Sequence, residues 1–352
     1  MPDGQPADGA DPGRREAARE QPATGKGGAG MPPSTTDPAR LDAALATLEL
    51  TVRRRLDGLL QGNHLGLVPG PGTEPGDARP YHPGDDVRRM DWSVTARTTE
   101  PHIRQTVADR ELETWLVADL SASLDFGTTG CEKRDLVVAA AAAVGHLTRG
   151  GGNRIGAVVA SGAGLSRIPA RGGRPHLQHL LRTMASTPRS GPGERGDLAV
   201  ALEQLRRPPR RRGLAVVISD FIGPRQDGQP LSWERPLRAL GGRHDLLAIE
   251  VIDPRDLELP AVGYVTLQDP ETGRTKEVST TLQLRTAFAE AAAEHRAQVA
   301  IALRRAGAAH LVLRTDRDWV ADVMRFVVSR KRGWTGAAAA SPNASARAGE
   351  AW

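Results

Sequence analysis

Asp119, Ser121 and Ser123 stand at alternate positions where the apolar run Trp115-Leu116-Val117-Ala118 ends. Their side chains offer only oxygen, the donor that hard cations such as Mg²⁺ prefer. A second apolar run, Leu214-Ala215-Val216-Val217-Ile218, ends in the same manner at Ser219-Asp220. Two carboxylates and two hydroxyls, with water completing the shell, suit Mg²⁺ better than Zn²⁺, which takes His or Cys. A cation held with one open position can also accept a carboxylate from another protein. A plainer role for Asp119 and the serines is the capping of a turn.

These residues need strands to bring them together. An apolar run bounded by polar residues reads as a buried strand, and ligands of open α/β sheets bind at the carboxyl ends of strands. In a parallel sheet those ends share one edge, so Asp119 and Asp220 approach each other if their strands are neighbours. Downstream of residues 115–120 the pattern predicts an Ala-rich helix over 132–148. Two strands at 154–160 and 165–170 come next, joined through Ser161-Gly162-Ala163-Gly164, then helices at 175–185 and 197–205. Beyond the strand at 214–218 come a helix at 232–240 and a strand at 246–252 closed by Asp253. A hairpin over 262–279, a long helix over 282–306, a strand at 310–313 and a helix at 319–330 complete the order. This alternation predicts an α/β fold, doubly wound, with a mostly parallel sheet and helices on both faces.

The flanks differ. Residues 1–36 are rich in Gly, Pro, Asp and Ala without apolar period, a composition that buries too little surface to order itself. Asp37-Pro38 then caps a helix carrying Leu41, Leu45, Leu48, Val52, Leu56 and Leu59 at three- and four-residue spacing, ending near Gly62. From Gly62 to about Thr99 the chain is dense in Gly and Pro, yet holds Tyr81, Asp85, Asp86, Arg88, Arg89, Asp91, Trp92 and Arg97. Pro83-Gly84 is a turn, Asp85 and Asp86 are placed to cap the next segment, and Asp91 reaches Arg88 if that segment is helical. An ion-paired loop packed by Trp92 against the main domain, or a direct partner contact, would each use this mixture. A strand is expected over 102–107. The division is a disordered tail at 1–36, a helix and signature segment at 37–110, the α/β domain at 111–332 and a second disordered tail at 333–352.

Composition excludes several functions. The single Cys131 rules out an intramolecular disulfide and a Cys-rich zinc site and favours a reducing compartment. No apolar run approaches the ~18 residues of a membrane span, and no signal-type apolar segment opens the sequence, so a cytoplasmic location is expected. The net charge of +5 permits nucleic acid as a partner, but Arg206, Arg207, Arg210, Arg211 and Arg212 surround two prolines and no stacking aromatic, so a solvated loop is expected there. Arg149-Gly150-Gly151-Gly152 comes after a helix instead of opening one, which makes it a poor phosphate cradle. Nine histidines lie scattered without ligand spacing. The enzymatic alternative that remains is metal-dependent phosphoryl transfer or hydrolysis at Asp119 and Asp220.

Asp119-Leu120-Ser121-Ala122-Ser123 resembles the Asp-x-Ser-x-Ser motif of von Willebrand factor type A domains, and Asp220 matches the later strand-end Asp of their metal-ion-dependent adhesion site. More narrowly, Arg79-Pro80-Tyr81-His82-Pro83-Gly84-Asp85-Asp86-Val87-Arg88-Arg89-Met90-Asp91-Trp92 with Ala96-Arg97 resembles the hallmark of DUF58, a bacterial domain family with a type A core often encoded beside MoxR-type AAA+ ATPases. Asp253-Pro254 through Leu259-Pro260 is similar as well. The resemblance implies a type A-like fold with the N-terminal helix and Gly/Pro-rich extension packed on it. It also implies a non-enzymatic protein-interaction module, an adaptor of a MoxR-type ATPase, docking through a Mg²⁺ held by Asp119, Ser121, Ser123 and Asp220. Tyr81, Asp85, Asp86, Arg88, Asp91, Trp92 and Arg97 are then signature residues for partner contact or structure. Type A metal sites also use a Thr before a helix. Here Gly196 falls at that position, with Asp197 beside it as a substitute.

Overall fold

The computed structural model describes residues 38–60, 78–81, 90–98, 100–104, 112–149, 152–191, 194, 196–206, 213–223, 230–269 and 273–339. The tail at 1–36, the end of the chain from residue 340, the signature residues Asp85, Asp86 and Arg88, and the basic cluster beyond Arg206 lie outside them.

Strand β3 (Glu113–Leu120) is the centre of the sheet. It pairs in parallel with β4 (Arg154–Ser161) on one side and β6 (Gly213–Ser219) on the other. Beyond β4 lies β5 (Gly164–Arg171), antiparallel across a short turn, and beyond β6 lie β7 (Asp245–Ile252) and β10 (Ala309–Arg314), both parallel. The spatial order β10-β7-β6-β3-β4-β5 is thus built by winding outward in both directions from β3. Winding of that kind leaves a crevice where the order reverses, between β3 and β6 at their carboxyl ends.

Side-chain alternation divides the core. Leu116, Ala118 and Leu120 of β3, with Leu214, Val216 and Ile218 of β6, face α1 (Pro38–Leu60), α3 (Lys133–Leu147), α4 (Arg174–Ala185) and α8 (Trp319–Ala339). Trp115 and Val117, with Ala215 and Val217, face α5 (Leu198–Arg206), α6 (Glu234–Gly241) and α7 (Leu282–Arg305). Helix α3 is buried along its whole length. Its run Ala139-Ala140-Ala141-Ala142-Ala143 combines the strongest helix former with the smallest side chain, so it fits between the sheet and a second helix layer. At Gly145 a Cβ would stand 2.3 Å from Leu177 Cδ1, so α3 and α4 approach more closely there than any side chain would allow.

Helix α1 belongs to that outer layer. Leu41, Leu48, Val52 and Leu56 are buried, and Leu45 packs against the same core. Its polar face is fastened by Glu49 to Arg174 at 2.7 Å, by Asp42 to Arg182 at 2.7 Å and by Arg55 to both oxygens of Asp318 at 2.9 and 2.7 Å. Exposed pairs of this kind each contribute less than about 1 kcal/mol, so the buried leucines hold the helix and the ion pairs orient it. None of the described helices is long and apolar enough to cross a membrane.

Two expectations at the flanks need correcting. Helix α8 continues to Ala339, past Gly333, where a disordered tail was expected to begin. Trp92 does not pack into the main domain: it opens α2 (Trp92–Thr98) with 71% of its surface exposed.

Candidate functional site

Register decides what Asp119 and Asp220 meet. Ala118 pairs with Ile218, so Asp119 lies level with Ser219 at the end of β6, on the same face of the sheet. Ser219 Oγ donates to Asp119 Oδ2 at 2.7 Å and accepts from the Phe221 amide at 2.9 Å, while Asp119 Oδ1 accepts from the Ser121 amide at 3.0 Å. Asp220 is one residue further on and emerges on the opposite face, towards α3. There its Oδ2 accepts from Lys133 Nζ at 3.0 Å, and its Oδ1 from the Ile222 amide at 3.0 Å.

The turn that delivers Asp220 is strained. Phe221 has φ +55°, the left-handed region that costs a residue with a Cβ roughly 1–2 kcal/mol. Its ring is fully buried and packs edge-on against Trp233 at 5.0 Å between centroids, and that burial offsets the strain.

A third strand-end acid completes the edge. Asp253, directly after β7, is fully buried and accepts four hydrogen bonds. Thr128 Oγ1 and the Arg255 amide donate to Oδ1 at 2.6 and 2.9 Å, and the Thr128 amide and Thr315 Oγ1 donate to Oδ2 at 2.9 and 2.7 Å. Burial alone would raise its pKa, but these donors outweigh it and hold the carboxyl below its usual value. Asp253 thereby pins the β3–α3 loop to the β7 turn. In the same turn Asp256 Oδ2 accepts from the Asp253 amide at 2.9 Å, and its carboxylate reaches Lys133 Nζ at 3.1 Å.

Lys133 therefore lies between two acids, with only 2% of its side chain exposed. Burial works against its charge, but Asp220 and Asp256 outweigh that and raise its pKa above the ordinary value. Asp119 has no such counter-ion among the described residues. Burial first, and the neighbouring Asp220 charge second, push its pKa up to about 6. Ser121 and Ser123 share a hydrogen bond between their hydroxyls at 3.3 Å. Around this cluster the apolar side chains of Phe126 and Ile222 are 41% and 46% exposed.

The structure thus brings Asp119, Ser121, Ser123 and Asp220 to one edge, as their types suggested, but as they stand they do not fit a Mg²⁺ ion. The Lys133 ammonium, 3.0 Å from Asp220 Oδ2, already supplies the positive charge there and repels a second cation. At Gly196 a Cβ would come within 2.8 Å of Ser121 Cβ, so a Thr does not fit there without displacing the serine. Asp197 is no substitute, because its Oδ1 caps α5 by accepting from the Ala199 and Val200 amides at 2.8 and 3.1 Å. Among the described residues no group of three or more His, Cys, Asp or Glu could hold a metal.

The described part of the signature segment forms its own small unit. Strands β1 (Ala78–Pro80) and β2 (His102–Arg104) form a small antiparallel pair, extended by the Tyr81 amide donating to Pro101 O at 2.8 Å. Asp91 caps α2, accepting from the Ser93 amide and hydroxyl at 3.1 and 2.7 Å. Arg97 lies exposed and donates to Ser93 O at 3.2 Å. Tyr81 and Asp91 therefore have structural work, while Trp92 and Arg97 face outward.

Lys133, Asp256 and Phe221 were not singled out by their sequence context, and Asp253 was read only as the acid closing a strand and as part of the family resemblance. One signal was present for the lysine. A cation in the first turn of a helix opposes the helix dipole, so Lys133 needs a reason to be there. The chain also has four lysines among its 47 basic residues, Arg being used almost everywhere else.

Fold and edge together define a doubly wound α/β domain with an oxygen-lined cluster at its switch point. The chain belongs to the family described as "Protein of unknown function DUF58", which it matches over residues 77–298. It is 64% identical over 297 residues to the Mycobacterium tuberculosis protein Rv1480, covering 84% of this chain and 92% of that one. It is also 59% identical over 169 residues to MAV169 of Mycobacterium avium, covering 48% and 96%. Among solved structures it is similar to BatB from Bacteroides thetaiotaomicron, at 13% identity and a TM-score of 0.36, covering 62% of this chain and 98% of that one. A von Willebrand factor type A protein from Catenulispora acidiphila is similar at 12% identity and a TM-score of 0.33, covering 65% and 42%.

Proposed function

We propose that this chain is a protein-interaction module that docks an AAA+ ATPase of MoxR type at the carboxyl edge of its sheet, working in the cytoplasm, where its single Cys131 stays reduced. The observation that carries this reading is the edge itself. At the switch point a buried polar cluster of Asp119, Asp220 and Lys133 lies beside the partly exposed apolar side chains of Phe126 and Ile222. Exposed apolar side chains supply affinity when a partner buries them, and fixed polar groups beside them set register. A hydrolytic or phosphoryl-transfer reading gains no comparable support, since the metal it needs would have to share Asp220 with the buried Lys133 ammonium 3.0 Å away.

The test is co-elution of the purified full-length protein with a MoxR-type ATPase in the presence of nucleotide. Ile222→Glu alters a half-exposed side chain that makes no contact with Lys133, so the fold should be retained, as circular dichroism and the melting temperature would show, while recovery of the ATPase falls at least tenfold. Undiminished recovery would remove this edge from the interface.

A further inference from the structure

We propose that the ammonium of Lys133 is the resident cation of the sheet edge, holding Asp220 and Asp256 together as a divalent ion would, so that the edge is assembled without Mg²⁺. The inference rests on geometry and stands whether or not a partner ATPase docks there. Lys133 Nζ lies 3.0 Å from Asp220 Oδ2 and 3.1 and 3.2 Å from the two oxygens of Asp256, so one ammonium uses its donors on two carboxylates from different strand ends. The two acids come from the β6 and β7 turns and the lysine from the start of α3. The contact therefore ties three elements that the chain connects only through long crossovers.

Three further features favour a fixed ammonium over an exchangeable ion. Lysine is a compact point charge, whereas the planar guanidinium used almost everywhere else in this chain needs more room and two coplanar acceptors. The Phe126 ring stands 5.8 Å from Nζ, and the ammonium is closed off from solvent, with 2% of the lysine side chain exposed. The serines that would complete a metal shell are turned towards each other at 3.3 Å, and Gly196 backs against Ser121 with no space for a further hydroxyl side chain.

Removing the lysine side chain should expose the difference. In Lys133→Ala two carboxylates lose their counter-ion, beside a third at Asp119, and a site for a divalent cation is created where the wild type has none. The experiment is Mn²⁺ binding to the full-length protein, stripped with chelator, monitored by the paramagnetic signal of the free ion. Wild type is expected to take up no stoichiometric Mn²⁺, and Lys133→Ala to bind it at least tenfold more tightly than wild type. Two results would overturn the inference: one Mn²⁺ per wild-type chain that is lost in Asp119→Asn, or equal affinity in wild type and Lys133→Ala. The wild-type measurement decides by itself if the alanine variant does not fold.

Discussion

Asp253→Asn is the most informative single change at this edge, because it keeps the shape of the side chain and removes one acceptor. Each oxygen of Asp253 accepts one backbone amide and one threonine hydroxyl. In the asparagine variant one of those oxygens becomes an NH₂ group. The hydroxyl facing it can rotate and accept, but the amide, from Thr128 or Arg255, meets another donor. A hydrogen bond to a charged group contributes about 1.5–3 kcal/mol, and a buried donor left unpaired adds its desolvation cost, so the variant should lose roughly 3 kcal/mol. At roughly 2–4 °C per kcal/mol for a domain of this general size, the melting temperature should fall by about 6 °C or more.

The pH dependence gives an independent check on the same carboxyl. Its pKa in the folded protein lies below the ordinary value, so its stabilisation is complete above the unfolded value, near pH 4, and is lost as pH falls through the lower folded value. The gap in unfolding free energy between wild type and Asp253→Asn, measured by urea denaturation, should therefore be constant from neutral pH to about 4 and close below that. A gap under about 1 kcal/mol at neutral pH would refute the four-bond account of this residue. A gap that widened on acidification would refute its sign.

Two further substitutions test the local geometry. Gly196→Thr, which restores the hydroxyl expected from type A domains, should cost about 1–3 kcal/mol through overlap with Ser121 and should not confer Mn²⁺ binding. Calorimetric melting with a parallel Mn²⁺ titration checks both parts, and a stable, metal-binding variant would contradict the close contact. Phe221→Ala should lose about 3–5 kcal/mol of packing against Trp233. Phe221→Gly should be more stable than the alanine variant by about 1 kcal/mol, the reverse of the usual order, because φ is positive there. Denaturant midpoints that kept the usual order would refute the strain.

Periodicity alone sufficed for nearly every element of the α/β domain. The apolar runs at residues 115–118 and 214–218 are buried on both faces, so they read as continuous strands, and Leu41, Leu48, Val52 and Leu56 of α1 recur at helical spacing along the face that is buried. Local pattern was less informative where burial has no period. Gly and Ala after residue 332 do not distinguish the end of α8 from a tail, and the Gly/Pro-rich surroundings of Trp92 left its packing against the main domain and its exposure for a partner both open.

By itself the sequence determined the doubly wound architecture and the placement of Asp119, Ser121, Ser123 and Asp220 at strand ends, because hydrophobic alternation and turn chemistry are local properties of the chain. The tertiary structure alone decided what those groups bond to. A difference of one residue in register puts Asp119 on the face of Ser219 and Asp220 on the face of α3, and only the packing of α3 between β6 and the β7 turn brings Lys133 to two carboxylates. Residues 87 and 123 positions apart meet there. The charge balance of a buried cluster depends on such long-range approach, since the Coulomb energy of a pair is set by distance and surroundings, not by separation along the chain.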